Sequence, residues 1–358
     1  MTSSAPHPLG THRVIEPPGA MPQSAWKLDN TPVCYDNEIL LEVETLNIDS
    51  ASFKQISDAC GSDPRAIGEH IAATVRERGK QHNPVTGSGG MLVGTVLEIG
   101  AALRNLDLSP GDRVASLVSL TLTPLCVDAI QGVDVATGRI SVAGKAVLFE
   151  SGLWAKLPDD IATDVALAVL DVAGAPAQVR RLSKAGSTVV IIGADGKSGM
   201  LACACAKAQV GPTGRVIGVA PNGATRAARM LLRANLVDAF IEADARDALD
   251  LAKKVQAVAP GLADLVVNCV NVPGTELASI LCTKEDGVLY FFSMSTSFTA
   301  AALGAEGVGK DITMIVGNGY AKGHADTALQ TLRDHPALWE YFNSVYAPAP
   351  LKHEDTRS

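Results

Sequence analysis

The stretch VVIIGADGKSGMLA, residues 189–202, constrains the fold more than any other in the chain. A short apolar strand runs straight into three glycines, and a helical pattern begins at once after them. Two phosphate-binding signatures overlap here. A P-loop has the form G-x-x-x-x-G-K-[ST], and Gly196-Lys197-Ser198 would be its end. Five positions before Gly196 stands Ile191, a strand residue, so the loop is too short to wrap a triphosphate. No later acidic residue stands out as a metal-holding partner. The spacing Gly193, Gly196, Gly199 suits a dinucleotide turn instead. The first glycine makes the tight turn, the second lets backbone approach a pyrophosphate, and the third lets the helix pack on the strand. Lys197 and Ser198 would then lie in the first helical turn, where free N–H groups and the dipole favour an anion. The spacing G-x-x-G-x-x-G is not the commonest form, and a glycine turn without a ligand could share the same setting.

The surroundings support a nucleotide-binding α/β domain. From about Ile161 onward, apolar strands at 188–192, 215–220, 265–270 and 287–292 alternate with helical patterns at 197–209, 225–235 and 245–257. A further strand is predicted at 311–316 and a helix at 324–332. Continuously apolar strands separated by helices imply a parallel sheet covered on both faces, a doubly wound Rossmann-type layer. Residues 11 to about 158 differ. Apolar and polar residues alternate over 38–47, 94–99 and 113–118, and Ile67, Ile71 and Val75 mark a helix over 63–78. This half reads as an open antiparallel barrel with a helical insertion, and 358 residues suffice for two such domains.

Composition narrows the function. The chain is 47% hydrophobic and 19% charged, enough to bury a large core. It shows no apolar run of transmembrane length and no secretory pattern at its start. A net charge of −8 argues against a nucleic-acid or anionic-membrane partner, either of which needs a basic face. The seven cysteines are odd in number and scattered without a C-x-x-C, which fits free thiols in a reducing cytoplasm.

The second strand of a dinucleotide fold usually ends in an acid that binds the adenosine ribose. Here it ends Val219-Ala220-Pro221-Asn222, followed by Arg226 and Arg229. NAD is not enforced by the usual carboxylate, and NADP is physically allowed. Asn222 and Arg226 are candidate cofactor contacts, although the arginines suit a solvated helix face equally. Asn268, Asn271, Ser293 and Met294 follow the fourth and fifth strands, where ligands of such sheets bind.

The β-rich first half, the LPDD at 157–160, the glycine turn and NCVN at 268–271 together resemble the medium-chain dehydrogenase/reductase superfamily. Blocks such as HRVIEP (12–17), LNIDSASF (46–53), ERGKQHNPVTGSGGM (77–91), LFESGLWAKLPDD (148–160) and YFFSMSTSFTAAALGAEGVGKD (290–311) are more specific. They resemble the L-erythro-3,5-diaminohexanoate dehydrogenases of lysine fermentation, over nearly the whole span from His12 to about Tyr346. The resemblance implies a Rossmann domain at 161–317 and a GroES-like catalytic domain at 11–160, to which a segment at about 318–346 returns. It implies NAD-dependent oxidation of the 3-amino group to a ketone with release of ammonia, reversible as reductive amination, and a homodimer at the level of the fold.

Many superfamily members hold a catalytic zinc. By resemblance the ligand places fall at Asp49, around Gly90-Met91, and near Asp171; none is Cys or His, and the four-cysteine zinc lobe is missing. No metal is therefore expected. A substrate with two ammoniums and one carboxylate needs carboxylates and at least one cation in its pocket, and a base for the reacting amine. Asp49 and Asp171 are the candidates for ammonium binding or base duty. Lys80 and His82, in the polar stretch 80–86, could hold the carboxylate or move protons, and Glu150 is a further candidate. Each has a plain structural alternative as a cap, turn or core residue. Two other functions fit the same fold: a zinc-free quinone, enone or carbonyl reductase, and a non-catalytic NAD-binding protein.

Overall fold

The computed structural model describes residues 6–84, 87, 89–317 and 319–347. Val85 and Thr86 of the polar stretch, and Asn318 at the start of the expected C-terminal segment, lie outside them. The described residues form two compact units divided between Pro158 and Asp159.

The first unit opens with a two-stranded ribbon, β1 (Val14–Glu16) and β2 (Lys27–Leu28). Strand β3 (Glu38–Asn47) follows, then helices α1 (Ser50–Ala59) and α2 (Pro64–Arg78). Strands β4 (Met91–Ile99), β5 (Arg113–Ser116), β6 (Leu125–Asp134), β7 (Arg139–Phe149) and β8 (Trp154–Lys156) complete it. The antiparallel sheet runs β6-β7-β3-β4-β5-β8. The long β6–β7 hairpin had no sequence signal as clear as β3.

Helix α2 begins where its sequence says it should. Asp63 caps it, accepting from Arg65 N, Pro64 takes the first position, and Gly79 ends it at φ 68°. Its face Ile67, Ile71 and Val75 is buried in one core with Leu41, Leu46, Leu92 and Val96 of β3 and β4. The antiparallel register puts Asn47 opposite both Met91 and Arg139, and Glu38 opposite Phe149. The segments entering β4 and leaving β3 therefore share one end of the sheet.

The second unit begins with α3 (Thr163–Leu170) and α4 (Gly174–Leu182). Strands β9 (Thr188–Ile192), β10 (Arg215–Ala220), β11 (Ala239–Glu242), β12 (Ala263–Asn268), β13 (Thr283–Phe291) and β14 (Thr313–Val316) form a parallel sheet ordered β11-β10-β9-β12-β13-β14. Helices α5 (Lys197–Val210), α6 (Arg226–Arg233), α7 (Ala248–Val258), α8 (Glu276–Cys282) and α9 (Phe298–Val308) connect them. Strand order reverses between β9 and β12, where open α/β sheets bind ligands, and the glycine turn leaves β9 at that point.

Two helices close the described chain, α10 (His324–Asp334) and α11 (Pro336–Tyr346). The segment expected to return to the first unit groups with the second instead. Helix α10 packs on α3, α4 and α5, and α11 on α3 and α6. The reason is its apolar stripe: Ala325, Ala328, Leu329 and Leu332 are all buried. Arg333 adds two hydrogen bonds of 2.8 Å to the carboxylate of Asp160.

Candidate active site

The glycine turn has the geometry of a dinucleotide cradle. Gly193 sits at φ 83°, where a side chain would be strained. A Cβ on Gly199 would lie 2.1 Å from the carbonyl oxygen of Gly193, so only glycine lets α5 come this close. A Cβ on Gly196 would meet nothing nearer than 3.5 Å, so that side of the turn is open to a ligand. Gly196 is also the N-cap of α5 and has no capping side chain. The first N–H groups of the helix thus lack the side-chain acceptor that usually serves them. Beside the turn lies a mostly apolar cavity of about 170 Å³, lined among others by Ile192, Val219, Ala220, Ala243 and Val270. Its size and apolar walls suit a flat ring, and the turn suits a diphosphate, so the residues fit a dinucleotide.

Lys197 is bound to Asp171, its Nζ donating to Oδ2 at 2.7 Å. Asp171 ends α3, and both side chains remain about one-third exposed. The fold thus brings together two candidates 26 positions apart in sequence. Ser198 is buried and hydrogen-bonds the Cys269 thiol, which burial holds at about 12.

The other candidates of this unit divide. Asn268 is fully buried, donating to the Thr275 and Ser279 hydroxyls at 2.8 and 3.0 Å and accepting from Val270 N at 3.0 Å. Its side chain is committed to holding the ends of β12 and α8. Asn271 accepts from the Ser295 hydroxyl at 2.6 Å, and Ser293 Oγ accepts from Ser295 N. These contacts tie the loops after β12 and β13 together and leave Met294 86% exposed between its neighbours. Asn222 closes its own turn, accepting from Ala224 N at 2.8 Å. Arg226 stands 5.2 Å from the centre of the Tyr341 ring, and Arg229 donates to the carbonyl of Ala224.

In the first unit, two sequence candidates, Asp49 and His82, and a third residue, Gln81, carry buried side-chain atoms without a partner among the described residues. Asp49 caps α1, its Oδ1 accepting from Ser52 N at 2.9 Å, while its buried Oδ2 has no partner among the described residues. Gln81 is 1% exposed and its Oε1 is likewise unpartnered. His82 Nδ1 is the third such atom. Glycines bring these segments together. A Cβ on Gly90, at φ 90°, would lie 2.9 Å from Asp49 N, and one on Gly89 would lie 2.6 Å from Gln81 O. Gln81 had no assigned role in the sequence; a polar residue within a stretch entering a strand gives no sign that its amide will be buried. Burial, with the nearby charges of Lys80 and Arg78, lowers the His82 pKa, so its ring is neutral at pH 7.

Lys80 is buried and spent on backbone: its Nζ donates to the carbonyls of Pro22 and Gln23 at 2.8 and 3.1 Å. Burial, and then the Arg78 charge, bring its pKa down to about 8. Glu150 is exposed in the turn after β7, at the Glu38 end of β3. Asp49 follows the other end of that ten-residue strand, about 30 Å away. Glu150 is therefore not brought to Asp49 and His82. Among the described residues, no three His, Cys, Asp or Glu side chains are grouped to hold a metal ion.

Comparison with known proteins gives the family. A family model described as the L-erythro-3,5-diaminohexanoate dehydrogenase N-terminal domain matches residues 12–158. An L-erythro-3,5-diaminohexanoate dehydrogenase of Acetoanaerobium sticklandii is 52% identical over 339 residues, covering 94% of this chain and 98% of the relative. The chain belongs to the L-erythro-3,5-diaminohexanoate dehydrogenase family. The enzyme of that name from Fusobacterium nucleatum matches to the same extent, 52% over 339 residues, again 94% of this chain and 98% of its own. Among solved structures, an alcohol dehydrogenase from Thermotoga maritima shares the fold, with a TM-score of 0.53 at 16% identity over 87% of this chain and 85% of that one. The medium-chain dehydrogenase/reductase architecture expected of the family is the one observed.

Proposed function

We propose that this member of the family catalyses the nicotinamide-dependent oxidative deamination of L-erythro-3,5-diaminohexanoate to 5-amino-3-oxohexanoate and ammonia, a step of lysine degradation. Family membership at 52% identity supports the reaction. The observation that carries its chemistry is the pair of buried acceptors Asp49 Oδ2 and Gln81 Oε1, which have no partner among the described residues. An unmade hydrogen bond at a buried acceptor costs about 1–3 kcal/mol, and a substrate ammonium would supply the donors. A quinone or enone offers none, which sets the reductase alternative aside.

The glycine turn and the first turn of α5 would hold the cofactor's diphosphate, and the apolar cavity would take its adenine. A bound nicotinamide cofactor would supply the hydride acceptor for the carbon bearing the amine. Asp49 and Gln81 orient an ammonium group of the substrate. The neutral His82, whose Nδ1 has no partner among the described residues, takes the proton that the reacting ammonium must lose. The exposed Lys197–Asp171 pair is able to open toward an anionic ligand at little cost, because half-exposed ion pairs contribute little. We further propose NAD over NADP, a reducing cytoplasm for the seven free thiols, and a homodimer. No helix among the described residues is long and apolar enough to cross a membrane.

The test is NADH formation from L-erythro-3,5-diaminohexanoate, with lysine and leucine as controls. No turnover with either NAD or NADP would refute the assignment. Turnover of quinones or enones without ammonia would establish the reductase instead.

A further inference from the structure

Strand β10 ends without the carboxylate that usually receives the adenosine ribose. The adjacent strand supplies one. Glu242 ends β11 and is paired with Ala220, the last residue of β10. Its side chain crosses to the loop after β10, where Oε2 accepts from Gly223 N at 3.0 Å. Gly223 permits the approach, since a Cβ there would sit 3.3 Å from the same oxygen. The exposed carboxylate is thus fixed to the loop after β10, and its chain neighbour Ala243 lines the cavity assigned to adenine together with Ala220 and Pro221.

The nearby cations do not neutralise it. Arg246 makes paired hydrogen bonds to Asp244. Lys254 bonds Asp250 and the backbone carbonyl of Glu242, not its carboxylate. Arg229 donates to Ala224 O, and Arg226 rests over Tyr341. Charge and hydrogen-bonding capacity at this point are both left for a ligand.

We propose that Glu242 is the ribose-binding residue, accepting from the adenosine 2′-hydroxyl and repelling a 2′-phosphate, so that a glutamate of the third strand performs the task the second strand lacks. The inference rests on the dinucleotide reading of Gly193–Gly199 and deepens it to a specificity for NAD. Loop support by Gly223 N fixes the carboxylate through one oxygen and leaves the other for the sugar. A hydrogen bond to a charged acceptor is worth roughly 10- to 100-fold in affinity.

The test is equilibrium binding of NAD⁺, NADP⁺ and 2′-deoxy-NAD⁺ to the full-length protein, independent of turnover. Wild type should bind NAD⁺ at least about tenfold more tightly than either of the others. Glu242→Ala should lose affinity for NAD⁺ but not for 2′-deoxy-NAD⁺. Glu242→Gln should gain affinity for NADP⁺. Equal wild-type binding of NAD⁺ and 2′-deoxy-NAD⁺ would overturn the proposal, and needs no variant to fold. So would an equal loss of all three ligands in Glu242→Ala, which marks a purely structural loop contact. Absence of any NAD⁺ binding would instead remove the dinucleotide reading beneath it.

Discussion

Single residues decide whether the proposed cofactor cradle and ammonium site exist. Gly199→Ala places a methyl group 2.1 Å from Gly193 O, so α5 must shift away from β9. The expected result is at least a tenfold loss of NAD binding, about 1.4 kcal/mol or more, measured by fluorescence titration alongside a thermal melt. Asp49→Asn keeps a side chain that can cap α1 but removes its charge. Turnover of the diamino acid should fall about 10- to 100-fold, the worth of a lost charge-assisted bond, with the melting temperature little changed. Wild-type rates in Asp49→Asn would take that carboxylate out of the mechanism. The glycine turn and Asp49 were legible because backbone conformation and caps are set by neighbours in sequence. Gln81 was not, because its burial depends on Gly89 folding against it from further along the chain.

Elements fix which polar residues are available for chemistry and which are spent on structure. Lys80 shows the second case. Its two carbonyl partners belong to the segment just before β2, so the ammonium pins that segment to the end of α2. Its folded pKa of about 8 lies below the ordinary 10.5, so the unfolded chain binds more protons between those values. The penalty for charging it is fully present below about pH 8 and is relieved as pH rises toward 10. The stability difference between wild type and Lys80→Met, measured by urea titration, should therefore widen over that range. A constant difference would show that the buried amine does not titrate as described. Asn268 is spent in the same way. Asn268→Ala would remove the partner of the Thr275 hydroxyl and of the Val270 N–H, while Ser279 keeps its bond to Thr275 O, costing about 2 kcal/mol, again read from urea titration.

At the scale of the whole molecule, the parallel sheet ends at β14, an edge strand. Large apolar side chains stay exposed nearby in sequence: Phe298 at 77% and Leu303 at 62% on α9, and Val316 at 61% on β14 itself. Exposed apolar side chains and an unpaired edge invite a second copy. Light scattering should give twice the mass of one 37.1 kDa chain. Val316→Lys should shift the protein toward monomer, and a wild type that is monomeric at all concentrations would dismiss the homodimer.

The sequence by itself determined the class of each half, the glycine turn and the family. These rest on periodicity, on positive-φ glycines and on blocks of local identity, all carried by residues near one another along the chain. Only the tertiary structure decided which candidates meet. It joined Lys197 to Asp171, consumed Asn268 and Lys80 in internal hydrogen bonds, set Glu150 at the wrong end of β3, and packed α10 and α11 onto the second unit. It also placed Glu242 beside a strand end that lacks an acid. Pairing between strands and burial of polar atoms are non-local, so the spacing of residues in sequence carries no record of them.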